Sequence, residues 1–233
     1  MARRMNLVIP RRDQQLTLTD CERKVAAFFA IDDLYVNHDA KACTDHPDQI
    51  TKHELDAVNQ AMQARSPERV WREAELLGMP LRELEAIDTS ADLVVMSDEE
   101  WAHIRPALSD LYRRVISKSG IGAASGTKVL HLMRPNLVAI ADRLVMDWLG
   151  IPGGEAAERA LGVAVEIRRI GRACDNQAVL ADIQAYLGRL SFIVPARIPA
   201  ACRILDALLW MKASGKRSKR YVHLWEVMGL AIR

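Results

Sequence analysis

Gly120-Ile121-Gly122 and the downstream Asp142 are the residues whose types and placement most directly suggest chemistry in this chain. Glycines in a Gly-x-Gly turn permit positive φ and let the backbone approach a partner closely, and the amides opening the next helix can hold a phosphate. The same turn also serves as a packing device between two helices. Asp142 stands at a natural helix N-cap, where its carboxylate accepts backbone amides, lies at the positive end of the helix dipole and can orient a water. Cap and catalyst are therefore both open readings of it. Lys128, a turn or more past the hairpin, is either a minority nucleophile candidate or a solvated lysine touching phosphate. Lys118 and Arg134 flank the hairpin, while Arg3, Arg4, Arg11 and Arg12 and the run Lys216-Arg217-Ser218-Lys219-Arg220 form two cationic clusters. Such clusters grip phosphates or are simply solvated ends.

The balance of charge makes clustering the point at issue. Thirty-two Lys+Arg against thirty Asp+Glu leave a net charge of +2, so attraction to nucleic acid must come from local concentration of cations. With half of its 233 residues hydrophobic and 27% charged, the chain can bury a sizeable core, which excludes disorder, collagen and small disulfide scaffolds. Cys21, Cys43, Cys174 and Cys202 are too scattered for a disulfide framework, and a reducing cytoplasm is expected. His38, Cys43, Asp45, His46 and His53 straddle a loop without a standard zinc spacing, so no metal and no cofactor are expected. The apolar run from Met5 to Pro10 is too brief for a signal-peptide core, and no stretch reaches 18 apolar residues, so no membrane span is expected.

Helical periodicity dominates, and the chain reads as all-α with almost no strand alternation. A helix is expected from Thr19 or Asp20 to about Val36, burying Val25, Phe28, Phe29 and Leu34. Thr51-Lys-His-Glu54 and Ser97-Asp-Glu-Glu100 match the capping box, in which hydroxyl and carboxylate each satisfy a first-turn amide. The first opens a helix to about Arg65; Ser66-Pro67 starts another that Gly78 closes, and Pro80 to Ile87 makes a short one. The second box opens Trp101 to Ser117. Helix, glycine hairpin, helix, extended linker and helix then follow to Gly150, with Pro135 pushing Arg134 toward extended geometry. Further helices are expected at about 154–173, 176–190, 199–213 and 221–232. The expected whole is one unit of two lobes, about 15–100 with the C-terminal helices and about 101–190 with the hairpin at 118–134. Trp71, Trp101, Trp148, Trp210 and Trp225 read as core residues, and His103 and His131 as packing or surface residues.

Gly120-Ile-Gly122, a helix, an Arg-Pro-x-Leu linker and Ala139-Ile-Ala-Asp142 opening a helix that ends in Leu-Gly150 resemble the helix-hairpin-helix DNA glycosylase superfamily. That superfamily excises damaged or modified bases. In it a hairpin precedes a short extended segment ending in the catalytic aspartate. The segment here, Val138-Ala-Ile-Ala141, departs from the pattern in lacking the proline usual before that aspartate. The chain also resembles a bacterial family of helical proteins of unknown function, through Ile50 to Val58, Lys128 to Pro135 and Arg203 to Trp210.

The first resemblance implies that Asp142 stabilises positive charge on the sugar as the N-glycosidic bond breaks. Lys118, Gly120, Ile121, Gly122, Arg134, Lys216, Arg217, Lys219 and Arg220 would hold double-stranded DNA. The superfamily's nucleophilic lysine lies just after the hairpin, where this chain has Ala123 and Ala124, so the resemblance implies a monofunctional enzyme that leaves an abasic site; a monomer is expected. The extruded base would need a pocket, for which Tyr35, Asn37 and His38 are candidates. The target is a lesion, for repair, or a modified base of phage DNA, for defence. Rival readings are a noncatalytic hairpin that clamps DNA and a helical scaffold that binds a protein partner.

Overall fold

The computed structural model describes residues 4–10, 15–31, 48–61, 76–118, 121–190 and 198–227. These residues are predominantly helical, as the periodicity predicts, but the N-terminal segment is not. Strand β1 (Leu7–Pro10) pairs antiparallel with β2 (Gln15–Leu18), Leu7 lying opposite Leu18 and Pro10 opposite Gln15. This corrects the expectation of an essentially strand-free chain. Leu7 and Ile9 are buried on one face and Val8 and Pro10 are half-exposed, a period of two that four residues are too few to announce. A distant side chain completes the strand: Asn176 Nδ2 donates to the Val8 carbonyl at 2.6 Å, and the Val8 N–H donates to Asn176 Oδ1 at 2.9 Å. The amide thus mimics a neighbouring peptide and closes the free edge of the hairpin.

Among the described residues, the helices are α1 (Cys21–Ile31), α2 (Lys52–Ala61), α3 (Asp98–Ile116), α4 (Gly122–Met133), α5 (Arg143–Leu149), α6 (Ala156–Gly171), α7 (Asn176–Leu187), α8 (Ala201–Ser214) and α9 (Lys216–Val227). The box at Ser97 forms in both halves: the Glu100 N–H donates to Ser97 Oγ at 3.1 Å and the Ser97 N–H donates to Glu100 Oε2 at 2.6 Å. At Thr51, Glu54 accepts from the Thr51 N–H at 2.7 Å, while the threonine hydroxyl takes the His53 N–H at 3.2 Å instead of the residue beyond. The short helix expected at Pro80 to Ile87 is only a 3₁₀ turn, Arg82–Leu84, because its amides bond three residues back, as Leu84 N–H does to the Leu81 carbonyl. Residues 66–75 of the helix expected after Ser66-Pro67, the end of the first one near Val36, and Trp71 lie outside the described residues, and residues 76–78 form a turn.

Helix α8 is the axis of the fold. Every residue from Ala201 to Met211 is buried, and it packs against α1, α5, α6, α7 and α9. A helix apolar all round belongs in a core. Its two buried charged residues pair with each other, Arg203 Nη1 donating to Asp206 Oδ2 in a short contact, and the guanidinium lies 5.4 Å from the Phe28 ring centre and 5.7 Å from that of Phe29. Trp210 is buried as expected and stacks at a tilt on Tyr221. The buried side chains form one cluster running from Leu7 to Met211, so the segments expected as two lobes share a core. No described helix is long and apolar enough to cross a membrane.

Candidate functional site

The hairpin begins where α3 ends. The Ile121 N–H donates to the Lys118 carbonyl at 3.1 Å, closing a tight turn, and Gly122 adopts φ +67°, a left-handed value that a side chain would resist. Gly120 lies outside the described residues. No side chain caps the start of α4. Its approach to α3 is set by Gly126: a Cβ there would come within 2.7 Å of the Ile116 side chain, so only a glycine lets the two helices pack this closely. Sequence reading assigned nothing to Gly126.

Helix α4 stops at Arg134, whose φ of −140° and ψ of 67° leave the helical region that Pro135 disfavours without reaching the extended geometry expected there. Leu137, Val138, Ala139, Ile140 and Ala141 are then all buried. An irregular buried segment must find partners for its backbone polar groups, and α4 supplies two. His131 Nδ1 lies 2.7 Å from the Val138 carbonyl. The Thr127 hydroxyl donates to the Ala123 carbonyl at 2.7 Å and accepts the Ala141 N–H at 3.0 Å. Thr127 and His131, one turn apart, therefore fasten the linker along α4. Neither role was legible in sequence, although a threonine and a histidine four apart on an otherwise apolar helix face were visible.

Asp142 follows directly. With φ −71° and ψ 145° it caps α5, Oδ1 accepting the Leu144 N–H at 2.8 Å, and Gly150 ends the helix in the left-handed conformation. The residue is half-exposed and does not point into the core. Oδ2 accepts no hydrogen bond among the described residues. Because the Ala141 N–H is bonded to Thr127, the backbone just before the aspartate is tied to the second turn of α4.

Other candidates fare differently. Arg134 is a correction: it is buried, Nη1 donates to the Met133 carbonyl at 3.0 Å, and it braces the C-terminal end of α4 instead of reaching toward solvent phosphates. Desolvation pushes its pKa below the usual guanidinium range, partly opposed by Asp48. Lys118 is exposed and Lys128 is half-exposed. Lys216, Arg217, Lys219 and Arg220 do not precede the last helix but form its first turns, with Lys216, Lys219 and Arg220 exposed. Arg4 lies 3.5 Å from Asp20. His103 is exposed, and Trp101 and Trp148 are half-buried. Arg3, Arg11, Arg12, Tyr35, Asn37, His38, Cys43, Asp45 and His46 lie outside the described residues. Among the described residues no cluster of His, Cys, Asp and Glu suits a metal ion. Burial pushes the Cys21 thiol up to about 12, which removes it as a nucleophile near neutral pH.

No curated protein and no solved structure matches the chain. A family does match, over residues 35–213, a span that includes the hairpin, the fastened linker, Asp142 and nearly all of α8. The chain belongs to that family, a family of unknown function (DUF6308).

Proposed function

We propose that the protein is a monofunctional DNA N-glycosylase acting on a damaged or modified base, with Asp142 as its catalytic carboxylate and residues 118–122 as a helix-hairpin-helix clamp on double-stranded DNA. The observation that supports this reading is the Thr127 bridge, which ties the backbone preceding a half-exposed carboxylate to the helix that follows the hairpin. Oδ1 is held by the Leu144 amide, leaving Oδ2 to face a ligand. In the reaction the C1′–N bond breaks, the base leaves with the bonding pair and takes up a proton, and water adds to C1′ and releases one. Positive charge that builds on the sugar is stabilised by the fixed anion, whose orientation needs no rearrangement during the step. The uncapped start of α4 and Lys118 hold the phosphate flanking the extruded nucleotide. No nucleophilic lysine follows the hairpin, since Ala123 and Ala124 stand there, so the product is an abasic site.

The test is single-turnover formation of alkali-labile breaks in duplexes carrying alkylated, oxidised, deaminated or glucosylated bases, comparing wild type with Asp142→Asn. Breaks that need both alkali and Asp142 support the reading. Release confined to glucosylated phage DNA assigns it to defence, and release from common lesions assigns it to repair. Tight, salt-sensitive binding without breaks on any substrate establishes the second reading, a noncatalytic clamp, which the Asp142 cap on α5 by itself favours.

A further inference from the structure

Two concavities on the described surface differ in how their charges are compensated. A cleft of about 460 Å³ between α3 and α6 holds Arg105, Arg113 and Arg159, but Glu158 and Glu166 line the same walls. Arg113 is bonded to Asp110 at 3.1 Å, and Arg159 to Asp147 at 3.3 Å. Its positive charge is largely answered from within the protein. A second concavity, of about 270 Å³, lies where α1, α8 and α9 meet and draws one lysine from each: Lys24, Lys212 and Lys219. Leu18, Leu208 and Met211 form its apolar floor, and among the described residues no carboxylate lines it. None of the three ammonium groups makes an ion pair among the described residues. Lys24 Nζ is already fixed, donating to the Thr19 carbonyl at 2.6 Å, and retains two further N–H groups.

Three like charges from separate helices line one concavity and repel one another, and a low-dielectric floor strengthens both that repulsion and the attraction for an opposite charge. A planar monoanion answers this poorly. A tetrahedral, multiply charged group presents an oxygen to each lysine. The volume, near the lower end for small-ligand pockets at roughly 300 Å³, admits one such group with a sugar-sized attachment on the floor. We propose that the Lys24–Lys212–Lys219 concavity is a binding site for a phosphate group, borne by a nucleic-acid strand or by a free nucleotide. This inference does not depend on Asp142 or on glycosidic-bond cleavage.

The test uses the full chain and three probes: inorganic phosphate and thymidine 5′-monophosphate by thermal shift and calorimetry, and a fluorescein-labelled DNA duplex by anisotropy. The variant K24Q/K212Q/K219Q is compared with wild type and with Lys52→Gln, an exposed lysine on α2. Affinity for at least one probe falls roughly tenfold or more in the triple variant and is unchanged in Lys52→Gln; for the duplex, the slope of log K against log salt also drops by about 1. Loss confined to the duplex names a strand phosphate as the source, and loss confined to the mononucleotide names a free nucleotide. The proposal is overturned if wild type binds no probe, or if the triple variant binds each probe as wild type does while retaining its circular dichroism spectrum and melting temperature.

Discussion

Two helices of this protein begin with charge, in opposite ways. Helix α5 begins with an anion, Asp142, whose oxygen takes the Leu144 amide. Helix α9 begins with Lys216, Arg217, Lys219 and Arg220 and has no acidic residue in its first turn. A charge at a helix start contributes about 0.3–1 kcal/mol, favourable for an anion and unfavourable for a cation. Folding alone therefore accounts for Asp142, and its chemistry has to be argued from where the tertiary structure sets its second oxygen. Folding does not account for the cations of α9. Under the phosphate site proposed above, one of them, Lys219, would meet an anion supplied from outside.

The sharpest way to break the comparison is Asp142→Asn. Asparagine caps a helix about as well as aspartate, so stability should stay within a few tenths of a kcal/mol while abasic-site formation falls roughly 100-fold or more. Equal cleavage by the asparagine variant would reduce Asp142 to a cap. Next in size is Thr127→Val, which leaves the buried Ala141 N–H without its acceptor and should cost about 1–3 kcal/mol in chemical denaturation. Thr127→Ser should recover most of that loss, and abasic-site formation should recover with it, since the hydroxyl positions the residue preceding Asp142. Asp142→Ala removes the cap and should destabilise by about 1 kcal/mol, measured by the same unfolding curves. Smallest is Lys216→Glu, which should stabilise the protein by about 0.3–1 kcal/mol while weakening duplex binding. Stability and affinity moving in the same direction there would show that the α9 cations serve the fold.

Much of the hairpin segment was legible because its signals are local. Pro135 restricts the residue before it, Gly150 takes the left-handed conformation at a helix end, and Ser97 with Glu100 satisfies amides three residues away. The site was less legible. Arg134 looked like a phosphate contact because an arginine beside a hairpin is ordinarily at the surface, yet the turn it occupies folds its side chain back over the end of α4. Thr127 and His131 read as unremarkable helix residues, because their partners, Ala141 and Val138, are brought to them only when the linker doubles back. The N-terminal hairpin was missed for a related reason: its strands are four residues long, and what secures the edge of β1 is Asn176, far along the chain.

The sequence by itself determined the helical class, several helix boundaries and the presence of a glycine turn ahead of a capping aspartate. These follow from interactions within one or two turns, where the spacing of residue types is the geometry. Only the tertiary structure decided which faces of those helices meet, and with them the fastening of the linker to α4, the burial of Arg134 and the placing of Lys24, Lys212 and Lys219 around one concavity. Each of those depends on segments distant in the chain being held together by a shared apolar core, and a core is specified by the packing of many side chains at once.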